Sequence, residues 1–242
     1  MRSIAVFAVK GGVGKTSIAV NLAHAAATLS GRRTLLWDLD PQGAATWTLN
    51  LAPRPAAKAR KALQDGELDA LIQTSEHANL DVLPADKSLR HLERGLAEES
   101  DKWLRKRLKA LAEAYDRVII DCPPGLTALA EQLFRAVDLV VVPVIPSPLS
   151  ERALEQLAAH LDRHHDGKAP ALFPVFSMVD RRRALHRSTL ATAPDRPAIP
   201  YAAAVEAMAA SRQPVLAASP AAPAGRAFAA LWRDVEGRLL RP

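Results

Sequence analysis

The chain has 242 residues, 49% of them hydrophobic and only 5% aromatic, so one covered α/β domain over 1–242 with an Ala, Leu and Val core is expected. A single cysteine, Cys122, excludes an intrachain disulfide and fits a reducing compartment, and no run approaches the ~18 apolar residues of a membrane span. Thirty-two Lys and Arg against 26 Asp and Glu leave a net charge of +6 and a pI near 9.8, which points to an anionic partner.

The apolar run Ile4 to Val9 predicts a first strand over 3–9. It passes into Lys10-Gly11-Gly12-Val13-Gly14-Lys15-Thr16 and then an Ala-rich helix over 16–29. Strand, Gly-rich turn and helix in that order make a nucleotide triphosphate site. Gly11, Gly12 and Gly14 permit positive φ and keep side chains away, so backbone N–H groups can converge on phosphate oxygens. The helix start, at Lys15 to Ser17, adds the positive end of a dipole. Lys15 is suited to the β- and γ-phosphates and the Thr16 hydroxyl to Mg²⁺. The loop departs from the common G-x-x-x-x-G-K-[ST] pattern, because only Gly11 to Val13 separate its front lysine, Lys10, from the last glycine. Lys10 therefore sits at the mouth of the loop and can point away from its own nucleotide.

A second strand is expected over 33–38. It ends in Asp38-Leu39-Asp40-Pro41-Gln42-Gly43, two carboxylates and a Pro/Gly turn, and a mobile loop is expected over 52–60. Further strands are expected near 79–83, 117–121, 138–144 and 171–177. Helices are expected near 58–73, 87–96, 100–114, 127–136, 150–164, 182–191, 201–210 and 222–239. Proline clusters at 53–55, 194–200 and 214–223 mark loops. This alternation predicts a doubly wound, mainly parallel sheet with helices on both faces. In such sheets the ligand lies beyond the carboxyl ends of the strands. Lys15, Asp38, Asp40 and Asp121, the last at the end of Arg117-Val118-Ile119-Ile120-Asp121-Cys122-Pro123-Pro124-Gly125, should meet there. Mg²⁺ keeps most of its waters, so Asp38 and Asp121 can hold it through solvent, with Thr16 as direct ligand.

KGGVGKT, DLDPQGAAT and DCPPG together resemble the deviant Walker A, switch I and switch II motifs of the ParA/MinD family of P-loop ATPases. Val141 to Val144, Pro146-Ser147-Pro148, Ile199-Pro200 and Gln213-Pro214-Val215-Leu216 extend the likeness from Ser3 to about Leu240. The resemblance implies an ATP- and Mg²⁺-dependent switch with slow hydrolysis, which dimerises around sandwiched ATP. It gives Lys10 a place on the partner subunit's phosphates and makes Asp40 necessary for hydrolysis. Carboxylates are poor bases at pH 7, so Asp40 is expected to position water rather than abstract a proton. Nucleotide contacts are expected from Lys10 through Ser17, and from Met178 and Pro200 beside the base. The lone Cys122 weighs against the related nitrogenase iron protein, whose subunits each supply two cysteines.

The resemblance also implies non-specific DNA as the matrix, and Arg181, Arg182, Arg183 and Arg187 are the expected contacts. The stretch after Ile199-Pro200, Tyr201 to Ala204, carries no positive charge, which leaves Arg212 or Arg226 as possible helpers. Lys102, Arg105, Lys106, Arg107 and Lys109 read as a solvated helix face. A hydrolysis-stimulating partner or cargo adaptor is expected, with a cytoplasmic location that becomes nucleoid-associated when ATP is bound. No signal peptide and no N-terminal DNA-reading module are expected.

Two other readings stay open. A MinD-like membrane or scaffold switch would use the C-terminal stripe Phe228, Leu231, Trp232, Val235 and Leu239, flanked by Arg233, Arg238 and Arg241, although core is the preferred reading of that stripe. An ATP-dependent amide- or ring-forming ligase is disfavoured by Lys10 and the DPQG turn. The histidines show no metal spacing, and His164-His165 before Asp166-Gly167 reads as a helix end. Trp37 and Trp47 flank switch I and can report its state.

Overall fold

The computed structural model describes residues 1–53, 58–96, 99–165 and 167–240. Part of the loop expected over 52–60, together with Asp166 and Arg241, lies outside these residues. The strands are β1 (Arg2–Val6), β2 (Thr34–Asp38), β3 (Gln73–Thr74), β4 (Leu80–Leu83), β5 (Arg117–Asp121), β6 (Leu139–Val144), β7 (Ala171–Val179) and β8 (Ala198–Pro200). They form one sheet in the order β3-β4-β2-β5-β1-β6-β7-β8, parallel except for the β3–β4 pair. This is the doubly wound architecture that the alternation predicts.

The central strands are apolar throughout because helices cover both faces. Ala5, Leu35, Trp37, Val118 and Ile120 face one core, and Ile4, Val6, Leu36 and Ile119 face the other. The second core is filled by α1 (Lys15–Leu29) and by a C-terminal helix over Pro223–Leu239. Phe228, Leu231, Trp232 and Val235 of that helix are at most 1% exposed, so the C-terminal stripe is core. The first core lies under α3 (Ala59–Asp65), α5 (Trp103–Ala110), α6 (Ala128–Ala136) and α7 (Pro148–His164). Ser147 caps α7 by accepting from the Ser150 N–H, and Pro148 sits in its first turn, where no donor is needed.

Several expected boundaries fail for local reasons. The helix expected over 58–73 stops at Asp65, where Gly66 takes φ 82 and its N–H bonds the Ala62 carbonyl. The stretch 87–96 splits into a 3₁₀ turn, Lys87–His91, and the short α4 (Glu93–Leu96). The helix expected over 201–210 breaks at Ala207 into α9 (Ala203–Glu206) and α10 (Met208–Ser211). Three pieces of regular structure lie where loops were expected: α2 (Ala44–Thr48), β8 inside the proline cluster, and α11 (Val215–Ala218). Each is five residues or fewer, too short to show a period. The two remaining helices are α8 (Ala184–Ala191) and α12, the C-terminal helix described above.

Candidate nucleotide and Mg²⁺ site

The register of three strands builds the site. Val6 of β1 and Asp38 of β2 both pair with Asp121 of β5, so the chain leaves the sheet at three neighbouring points. From β1 it enters the loop, in which Gly12 and Gly14 hold φ 72 and 87. A residue with a Cβ strains at both, which is why the sequence spends glycine there. Gly14 begins α1 with no side-chain cap, and the first turn contains no acid. Its free N–H groups and dipole are therefore available to an anion.

The two lysines of the loop part company. Lys15 is 7% exposed, whereas Lys10 is exposed and turns aside, its Nζ 3.5 Å from the Leu149 carbonyl at the start of α7. Leu149 itself is 67% exposed.

Thr16 donates its hydroxyl to Asp121 Oδ2 at 2.7 Å, while Asp121 Oδ1 is buried with no partner among the described residues. An orphaned buried carboxylate oxygen beside a hydroxyl is a donor set suited to a hard cation. The residues present therefore fit Mg²⁺. Burial, and then the neighbouring Asp38 charge, push the Asp121 carboxyl well above the usual range. Burial likewise raises Asp38 to about 6, against hydrogen bonds that lower it.

Asp38 is occupied by its own loop. Its Oδ2 accepts from the Thr46 N–H at 2.9 Å and the Thr46 hydroxyl at 2.8 Å, and its Oδ1 accepts from the Asp40 N–H at 3.2 Å. Asp40 Oδ1 accepts from the Gln42 N–H at 2.9 Å, and Gly43 closes the turn on the Asp40 carbonyl with φ 66. Thr46 also accepts from the Ala85 N–H at 3.1 Å, tying this turn to the segment after β4. The α2 helix continues outward to Trp47, whose Nε1 donates to the Ala209 carbonyl at 2.8 Å. The Arg212 guanidinium lies 3.5 Å above the Trp47 ring and donates to Asn50. A cleft of about 1230 Å³ opens over this segment from Thr16 and Ser17. Met178 and Pro200, expected beside the base, line a smaller pocket of about 150 Å³ that also begins at Ser17.

The arginine cluster between β7 and α8 is not uniform. Arg182 forms a two-pronged pair with Asp180 at 2.9 and 3.0 Å, which holds that carboxyl down to about 2. Arg187 donates to the carbonyls of Arg181 and Arg182 at 3.0 and 2.8 Å. Only Arg181 and Arg183 present guanidinium groups without a hydrogen bond or ion pair among the described residues. Arg212 is taken by Trp47 and Asn50, and Arg226 by the Ala221 carbonyl, so neither is free to help them. In α5, Arg107 covers Trp103 and donates to Leu63 and Gln64, so that helix face is only partly a solvated one. The α7 histidines do more than end a helix: His160 and His165 both reach Glu131 of α6.

Sequence reading missed Thr46 as the partner of Asp38, although it stands inside the quoted DLDPQGAAT segment. It also missed Ser177 and Glu206 beside Met178 and Pro200, which no motif flags.

Sheet order, glycine loop and strand-end acids define a P-loop nucleotide-binding protein. Comparison with known proteins agrees. A family model described as an AAA domain matches residues 1–172. The chromosome partitioning protein ParA of Caulobacter vibrioides is 36% identical over 198 residues, covering 76% of this chain and 72% of that protein. The ParA of Myxococcus xanthus is 36% identical over 175 residues, covering 71% of this chain, which spans only 62% of that relative's length. Among solved structures, cobyrinic acid a,c-diamide synthase from Mycobacterium smegmatis with bound ATP analog and magnesium matches with a TM-score of 0.82. It is 27% identical and covers 99% of this chain and 96% of its own. The chain belongs to the ParA/MinD family of P-loop ATPases.

Proposed function

We propose that this chain, acting as one domain over 1–242, is an ATP-dependent dimerising switch that hydrolyses ATP slowly and positions or segregates a cargo along non-specifically bound DNA. The single observation that carries the reading is the divergence of the two loop lysines. Lys15 is buried within the loop, while Lys10 is exposed and only loosely held by the Leu149 carbonyl. A cation so placed is free to serve phosphates outside its own subunit, where it acts as an arginine finger does in trans. Clasping two copies then completes each site. In this reading Lys10 to Ser17 hold the phosphates, Thr16 holds Mg²⁺ directly and Asp121 holds it through water. Mg²⁺ bridges and neutralises phosphate oxygens when bound. Asp38 keeps the Asp40 turn in place, and Asp40 positions water.

The chromosome partitioning role named for the two ParA relatives supports a cargo-positioning function, and a partner protein that stimulates hydrolysis fits the slow site. Arg181 and Arg183 are the proposed DNA contacts, reduced from the four arginines of the sequence reading. The protein is expected in the cytoplasm, on the nucleoid in its ATP form. Among the described residues no helix is long and apolar enough to cross a membrane. The burial of the α12 stripe removes the surface that a MinD-like lipid contact would use.

The test is mass by light scattering with Mg-ATP. Asp40→Ala protein should run as a dimer and the Lys10→Ala/Asp40→Ala protein as a monomer with ATP still bound. An ATP-loaded monomer for Asp40→Ala overturns the reading. The likeness to an amide-forming synthase supports a ligase as second reading. Such an enzyme consumes ATP only with a carboxylic acid substrate, so turnover with DNA alone counts against it.

A further inference from the structure

The end of β7 carries a hydroxyl that the protein itself leaves unused. Ser177 is 2% exposed, and its Oγ has no hydrogen-bond partner among the described residues. Buried polar side chains are nearly always paired, and one that is not weakens the free fold. The local backbone is equally unusual. Phe176 and Val179 pair with Ala198 and Pro200, three steps on β7 against two on β8, so Ser177 and Met178 occupy a bulge. Met178 takes φ 53 there, a conformation that a long side chain rarely adopts. Bulges re-aim side chains and occur beside functional sites. This one presents Ser177 and Met178 to the phosphate loop, since a Cβ built on Gly14 would stand 3.9 Å from Ser177 Cβ and 3.8 Å from Met178 Cε.

Between them lies the pocket of about 150 Å³ bounded by Gly14, Ser17 and Ile18 on one side and by Ser177, Met178 and Pro200 on the other. Pockets for drug-sized ligands run from about 300 to 1,000 Å³, so this one suits a single flat ring system rather than a whole nucleotide. Its walls are largely apolar, with Ser177 a hydroxyl at its depth.

We propose that Ser177 is a base-reading residue: its Oγ hydrogen-bonds the edge of a purine ring held against Met178 and Pro200. The inference rests on the ATP reading of the phosphate loop. A hydroxyl both donates and accepts, so it can pair with a ring nitrogen or an exocyclic amine. In the free protein that capacity is unspent, and the purine edge uses it.

The test compares two probes by calorimetry, Mg-ATP and magnesium tripolyphosphate, which lacks the base. Ser177→Ala should weaken Mg-ATP about five- to tenfold, the worth of one hydrogen bond, and leave tripolyphosphate within about twofold. Ser177→Thr keeps the hydroxyl and should retain ATP affinity. Ligand-free Ser177→Ala protein should melt no lower than wild type, because the lost group had no partner. Unchanged ATP affinity in Ser177→Ala, or a parallel loss for both probes, overturns the proposal. Wild-type protein that binds tripolyphosphate as tightly as ATP overturns it too while leaving the phosphate site intact. Failure of wild type to bind either probe instead sinks the ATP reading itself.

Discussion

Thr46 gives both its backbone N–H and its hydroxyl to one oxygen of Asp38, at 2.9 and 2.8 Å, and so fastens the far end of the switch I turn to the strand it left. The same hydroxyl accepts from the Ala85 N–H. Thr46→Val keeps the shape but leaves Asp38 and Ala85 each short of a buried partner, a loss of about 1–3 kcal/mol. With about 2–4 °C for each kcal/mol at this size, the melting temperature should fall by several degrees. Calorimetric melting checks this, and a variant as stable as wild type removes Asp38–Thr46 as the fastening.

Lys15→Ala should abolish Mg-ATP binding in calorimetry, because that buried ammonium is the positive group inside the loop. Lys10→Ala, altering an exposed side chain, should bind ATP within a few-fold of wild type. Equal losses in the two variants would show that the lysines share one task.

Asp40→Ala should lower ATP turnover about a hundredfold, the scale on which misplacing a reacting group acts. Binding should persist, since Asp40 contacts only its own turn here. Phosphate release under saturating ATP is the measurement, and wild-type turnover contradicts the role.

Asp38 and Asp121 give ligand-free protein a pH dependence whose sign follows from burial. Both carboxyls have folded-state pKa values above the unfolded value near ~4, Asp38 at about 6. Their neutral forms favour the fold, so their contribution is fully present below about pH 4 and declines as pH rises through about 6. Asp121→Asn should flatten this decline and raise the ligand-free melting temperature at pH 7.5 by a few degrees, while abolishing the benefit of Mg²⁺. A steeper decline in Asp121→Asn protein would reverse the assignment.

Arg181→Glu/Arg183→Glu should weaken DNA binding and reduce the slope of log affinity against log salt by about two, near 0.9 per phosphate lost. Arg187→Ala should leave that slope unchanged, since its guanidinium serves the carbonyls of Arg181 and Arg182. Equal slopes for the double variant and wild type remove this loop from the DNA surface.

The central strands and the phosphate loop were legible because their signals are local: continuous apolar runs, glycines where φ is positive, and acids at strand ends. The tasks of Arg182 and Arg187 were not, since a run of arginines looks alike until Asp180 and two carbonyls engage some of them. β8 lay hidden in a proline cluster. It is an edge strand of three residues, where proline does not break a ladder on both sides. Ser177 gave no signal at all, because its significance lies in a bulge and a missing partner.

Trp37, Trp103 and Trp232 are each 1% exposed, while Trp47 is 51% exposed under the Arg212 guanidinium. Iodide or acrylamide added to the protein will therefore quench one indole and spare three. Since that indole rides on the helix following Asp40, the unaltered chain carries its own optical gauge of how the phosphate site opens and shuts.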